Sequence, residues 1–250
     1  MCVFVPSFSQ VALPSDLKAS AENRYARFLM DSSLGTYDYV QEGLMSMWDA
    51  VENAGRGMHD AAAAEWKDLV GTSDLSPYGS PVFNSDSVTL ANNSAFDGTV
   101  NGIASAFQHS GFTVQLMMRP TERPSAGYCG VVHIGPGGAN RQLILDSRKQ
   151  TDGGQNSWYS FAGLQFREAN WQDRSIVQPE NDYVGKNVEM TVTVDGKGAN
   201  LWFDDAAAPH FTTEGGDATS NSDEFHIGRE VSGAYYPMVL YGARLYNRPL

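Results

Sequence analysis

The closing stretch, Phe225 to Leu250, reads FHIGREVSGAYYPMVLYGARLYNRPL. Phe225, His226 and Ile227 read as a strand that closes on Gly228. An aromatic loop carrying Tyr235 and Tyr236 follows, and Met238 to Asn247 reads as a long final strand. Working outward, two earlier segments have the same character. In Phe112–Pro120 (FTVQLMMRP), Phe112, Val114, Leu116 and Met118 share one face, while Thr113, Gln115, Met117 and Arg119 share the other. Pro120 stops that strand. In Val188–Val194 (VEMTVTV), Val188, Met190, Val192 and Val194 point inward, and Asp195-Gly196 is a hairpin turn signal.

The rest of the chain repeats this grammar. Leu44–Asp49, one or two short strands within Val82–Leu90, Tyr128–Ile134, Arg141–Ser147, Trp158–Phe166 and Leu201–Asp204 all read as strands. Tyr128–Ile134 and Arg141–Ser147 flank the turn GPGG and are expected to form a hairpin. Glu52–Ala64, Glu168–Glu180 and Glu214–Ser222 read as loops. Many short strands between turn signals predict an all-β sandwich. Before Gly43 lie a loose arm, a connector at Asp31–Glu42 and one predicted helix, Ser15–Met30, which has good cap residues at its start. Leu17, Ala21, Tyr25, Phe28 and Leu29 give that helix one apolar side. The expected organisation is therefore an arm and helix at 1–42 and a sandwich at 43–250.

Composition agrees. The chain has 250 residues, 42% of them hydrophobic, only 18% charged, with 25 glycines. That balance suits strands and turns better than a helical bundle. Its formal net charge of −12 repels phosphate backbones, so nucleic acid is not an expected partner. No apolar run approaches the roughly 18 residues of a membrane-spanning helix. The first residues, MCVFVPSFSQ, lack the basic start of a secretory signal. Cys2 and Cys129 are the only cysteines; two thiols are expected over one bridge.

Together, FTVQLMMRP, GKNVEMTVTVDG followed by LWFDD, and FHIGRE with RLYNRPL resemble the laminin-G-like, concanavalin A-like jelly rolls. GLMSMWDA and WKDLVG are similar to that family's opening motif. The resemblance covers Gly43 to Leu250. Where the family pattern carries tryptophans, this chain has Met117 and Asn187; where it has a histidine, this chain has Glu189, and the second DG is Asp204-Asp205. The resemblance implies a two-sheet antiparallel jelly-roll sandwich whose relatives bind glycans, proteins or calcium. Family chains run on past the closing motif, so a module of a longer protein, or an end that meets a partner, is expected.

Candidate chemistry follows from residue types. Glycan binding uses aromatic rings that stack on sugar C–H faces beside planar polar groups. Trp158, Tyr159, Trp171, Tyr235 and Tyr236 are the candidate rings, with Arg141 and Asn156 as polar companions and Arg167 as a further one. The resemblance adds calcium as a candidate ion, with Asp152, Asn156, Asp173, Asp217, Asn221 and Asp223 in suitable loops. Glycoside hydrolysis needs two carboxylates on one face. The paired-carboxylate strand of jelly-roll glycanases is missing, and Glu189 is alone on the outer face of its strand, so no catalytic residue is assigned. The five histidines form no zinc motif. His133 and His226, which precede Ile-Gly at two strand ends, are read as structural.

The first expectation is a non-catalytic binding module, carbohydrate-binding or adhesive, on an extracellular, cell-surface or virion-surface protein. The second is a structural part of a phage tail or capsid assembly, docked through residues 1–42 on a neighbour or a second copy. A glycoside hydrolase is the third.

Overall fold

A computed structural model describes residues 40–250, apart from 92, 110, 123–127, 137–142, 153–154, 159–162, 167–182, 196–197, 205–208, 210, 215–221, 230 and 232–234. The predicted helix Ser15–Met30 and Cys2 lie outside the described residues. The described strands are β1 (Leu44–Asp49), β2 (Ser76–Tyr78), β3 (Val82–Phe83), β4 (Val88–Leu90), β5 (Ala95–Thr99), β6 (Phe112–Pro120), β7 (Tyr128–Ile134), β8 (Leu143–Asp152), β9 (Gln155–Trp158), β10 (Gly163–Phe166), β11 (Val188–Val194), β12 (Gly198–Phe203), β13 (Phe211–Glu214), β14 (Glu224–Ile227) and β15 (Met238–Tyr246).

They form two antiparallel sheets. One has eight strands in the order β13-β12-β11-β6-β15-β4-β3, with β1 also on β15; the other has seven, β10-β8-β7-β14-β5-β2, with β9 also on β8. The core lies between them. This is the two-sheet sandwich that the strand pattern predicts.

The final strand is the axis of the larger sheet. Along one edge β15 pairs with β6 over its length; along the other it meets β4 at Met238–Leu240 and β1 at Gly242–Tyr246. A register shift between Leu240 and Gly242 re-phases the strand. Before the shift Met238 and Leu240 are in the core; after it, Ala243 and Leu245 are. A bulge does this because one extra residue inverts the two-residue alternation.

The opening motif staples β1 to the loop behind it. Trp48 is fully buried, donates from Nε1 to the Ser73 carbonyl (2.9 Å), and stacks on Phe225 of the opposite sheet. Trp66 donates from Nε1 to the Asp49 carbonyl (2.8 Å) and packs on Phe96. Asp68 accepts from the backbone N–H groups of Met47, Val70, Gly71 and Ser73. Each polar atom that these residues bury thus has a partner.

Several expectations are corrected. Of the predicted strand Trp158–Phe166, Trp158 ends β9 and 163–166 form β10, which pair with β8 at Lys149–Asp152 and Leu143–Asp146; residues 159–162 lie outside the described residues. β8 starts at Leu143 and runs on to Asp152, beyond the predicted Ser147. β2, β5 and a short helix α1 (Ile103–His109) were not predicted. The helix is too short to show a periodic stripe. It is held by the buried Ile103, Ala104 and Ala106, and by Asp223 Oδ1, which accepts from the Ala104 N–H at 2.9 Å. Thr113 and Met117, assigned to the outer face of β6, are also buried.

Where the family pattern has a tryptophan, Asn187 accepts from the Tyr241 hydroxyl at 3.0 Å. Asp204 takes a positive φ of 51° and accepts from the Glu189 N–H. Cys129 is buried in the core.

Candidate functional site

Four segments far apart in sequence converge on the outer face of the seven-stranded sheet. Phe96, Phe225 and Ile227 fill the core, so by alternation Asp97, Glu224 and His226 point away from it. In register, Ser76, Asp97, His226 and His133 form one row across β2, β5, β14 and β7. Past Ile227 the chain turns at Gly228, φ 88°, where a Cβ would lie 2.6 Å from Leu90 Cδ1. Only glycine takes this turn without strain. The turn brings Arg229 and then Tyr235, bridged to each other, to the end of Asp97's row.

Asp97 is the hub. Its Oδ1 accepts from Arg229 Nε (2.9 Å) and His226 Nδ1 (2.7 Å), and its Oδ2 accepts from Arg229 Nη2 (2.6 Å). Burial alone would raise the Asp97 carboxyl, but the donors His226 and Arg229 hold it below the usual carboxylate range. An ionised Asp97 only accepts, so His226 carries its proton on Nδ1. Val231 donates its N–H to His133 Nδ1 (3.3 Å), which places His133's proton on Nε2. The two imidazoles sit 5.5 Å apart and are almost fully covered although they face outward. Glu224 Oε2 lies 3.7 Å from His226 Nε2.

The aromatic part flanks this ion pair. Tyr78, at the end of the edge strand β2 and 43% exposed, stacks with Tyr235 at 5.9 Å and 29°. The Arg229 guanidinium lies 4.1 Å from the Tyr78 ring centre, a cation–π contact. The Tyr235 hydroxyl is pushed up by its hydrogen bond with Tyr78 and then by partial burial, so it stays protonated at neutral pH. The result is a partly exposed pair of rings beside a fixed guanidinium–carboxylate fork, rich in both donors and acceptors.

The candidate residues divide accordingly. Tyr235 belongs to this cluster. Tyr236 does not: it is fully buried in the core, and its N–H donates to the Gly228 carbonyl at 2.8 Å. Adjacent residues of an extended chain face opposite ways, so only one of the two tyrosines can reach the surface. Trp158 and Asn156 lie on β9, opposite Lys149 and Thr151 of β8. Tyr159, Trp171, Arg141 and Arg167 lie outside the described residues, as do Asp173, Asp217 and Asn221. Asp223 is taken up by α1. Among the described residues no three His, Cys, Asp or Glu side chains gather as metal ligands.

Sequence reading missed Tyr78, Asp97 and Arg229 as partners. The hint was AFDGT, an alternating stretch disguised by Asp97 and Gly98, which are poor strand formers. The convergence itself needs β2, β5 and β14 to be neighbours.

The fold places the chain among two-sheet antiparallel β-sandwiches. No protein-family model matches it, and no curated protein matches it in sequence. Among solved structures it is similar to Trypanosoma rangeli sialidase, at 15% identity and a TM-score of 0.59 over 92% of this chain. The chain spans 36% of that enzyme's length. It is similar to domain 4 of AbnA, a GH43 extracellular arabinanase from Geobacillus stearothermophilus solved with arabinotriose: 13% identity, TM-score 0.53, covering 83% of this chain and 93% of that one. A third is the botulinum neurotoxin serotype D binding domain, at 11% identity and TM-score 0.58, over 83% of this chain and 49% of that one. Identities this low establish the fold alone. Among the described residues no helix is long and apolar enough to cross a membrane.

Proposed function

We propose that the chain is a non-catalytic carbohydrate-binding module of the laminin-G-like, concanavalin A-like type, borne by an extracellular or surface protein. The observation that carries this reading is the Tyr78–Tyr235 pair beside the Asp97–Arg229 fork. Rings offer faces for sugar C–H groups, while the carboxylate, guanidinium and hydroxyls can orient sugar hydroxyls. The arabinotriose complex of one similar domain supports the same reading.

Among the described residues, the state of two carboxyls supports the non-catalytic reading. A glycosidase needs a carboxylic acid held protonated near neutral pH. Asp97 is the reverse, held ionised by two donors. Asp49 does have a raised pKa, but it is fully buried and offers no route to a substrate.

The test is a glycan-array screen of the chain, followed by titration calorimetry with Tyr235→Ala and Arg229→Ala. Binding to one sugar class that either variant weakens about tenfold is the expected result. A blank array, or binding that both variants leave untouched, overturns the site. A blank array together with a stable oligomer would instead favour a structural part of an assembly.

A further inference from the structure

We infer that this site takes neutral oligosaccharides rather than sialylated, uronic or sulfated ones; the inference rests on the carbohydrate-binding reading above. Recognition of an anionic sugar calls for a cation free to fork onto its acid group. Among the described residues of the segments that build the site, 76–79, 95–99, 224–229, 231 and 235, Arg229 is the one Lys or Arg. Its Nε and Nη2 are already committed to the two oxygens of Asp97, and its plane lies against the Tyr78 ring. A ligand carboxylate would meet only the Nη1 hydrogens and the second Nη2 hydrogen, on a guanidinium whose charge is already neutralised by Asp97.

The surrounding charge points the same way. Asp97 and Glu224 face the site, against the single Arg229. The whole chain carries −12. The histidine Nδ1 atoms are engaged within the protein: His226 donates to Asp97, and His133 accepts from Val231. What remains suits vicinal hydroxyls: carboxylate lone pairs of Asp97, the phenol groups of Tyr78 and Tyr235, and ring surface.

The experiment compares neutral oligosaccharides (arabinan, xylan, glucan and galactan fragments) with sialyllactose, oligogalacturonate and sulfated oligosaccharides, by calorimetry at about 50 and about 500 mM NaCl. Neutral ligands are expected to bind with affinities that change less than about twofold with salt. Asp97→Asn frees the Arg229 fork, and this variant is expected to gain affinity for an acidic sugar by about tenfold while losing it for neutral ones. Should Asp97→Asn not fold, Arg229→Gln serves: it weakens neutral binding and leaves acidic sugars unbound. Preferential, salt-sensitive binding of acidic sugars by the unaltered chain overturns this inference but leaves the carbohydrate-binding reading standing. Binding of neither class removes both.

Discussion

Trp48 lies flat on Phe225, ring centres 5.5 Å apart and planes 12° from parallel. β1 of one sheet is thereby joined to β14 of the other through the core. Trp48→Ala would leave a ring-sized cavity and strand the Ser73 carbonyl. The expected cost is about 3–5 kcal/mol. Trp48→Phe keeps a ring on Phe225 and should lose roughly half of that. Urea denaturation monitored by circular dichroism measures both; equal stability of the alanine variant and the unaltered chain would contradict the packing described.

Asp49 supplies a pH signature. Burial, the dominant influence, pushes its carboxyl from 3.8 up to about 7, with the nearby Glu52 charge adding to it and the Val51 and Glu52 N–H groups opposing. The folded state therefore holds this proton more tightly than the unfolded state. The contribution of this proton to stability is full below about pH 4, declines as pH rises, and is lost once pH passes about 7. Asp49→Asn keeps an oxygen for the two N–H groups without the charge. It should raise stability at pH 8 by about 1–3 kcal/mol and flatten the profile between pH 5 and 8. A variant less stable than the parent at pH 8 would contradict the assignment.

Asp97 has the opposite sign. Its folded carboxyl lies below the ordinary value despite burial, because His226 and Arg229 donate to it. Its contribution is present above about pH 4 and is lost as pH falls through the depressed value. Asp97→Asn should cost about 1–2 kcal/mol at pH 7 and remove part of the acid limb of the stability curve. Thermal melts between pH 2 and 7 measure this; an unchanged acid limb would show that the fork contributes nothing.

Gly228→Ala tests how the site is built. A methyl group there meets Leu90 in a backbone conformation with φ 88°. The expected loss is about 1–3 kcal/mol. Because Arg229 follows directly, ligand binding should fall by more than the stability loss explains. Ordinary binding by a folded Gly228→Ala protein would mean that the turn does not position Arg229.

Asp68 gathers the N–H groups of Met47, Val70, Gly71 and Ser73. Asp68→Ala leaves these donors to water or to nothing, at an expected cost of about 2 kcal/mol, with the Glu52–Leu75 loop the first to open. Hydrogen exchange resolved along the chain would show that loop losing protection before β6.

The sequence by itself determined the sandwich. Alternation in FTVQLMMRP and VEMTVTV set which side chains face the core, since a two-residue period leaves little freedom once one face is apolar. The closing stretch supplied the central strand of the larger sheet. Local reading failed where signals were short or mixed: β5 hides behind Asp97 and Gly98, α1 is seven residues long, and the bulge in β15 is visible only once its partners are known.

The candidate site was decided by tertiary structure. Tyr235 and Tyr236 are equal as letters; the Arg229–Tyr235 bridge and the Tyr236 N–H bond to the Gly228 carbonyl send the second into the core and leave the first beside Tyr78. Asp97 and Arg229 stand 132 positions apart, and nothing local joins them. They meet because β5 and β14 are neighbours in one sheet, and strand order depends on how the whole core packs, which no single stretch of sequence carries.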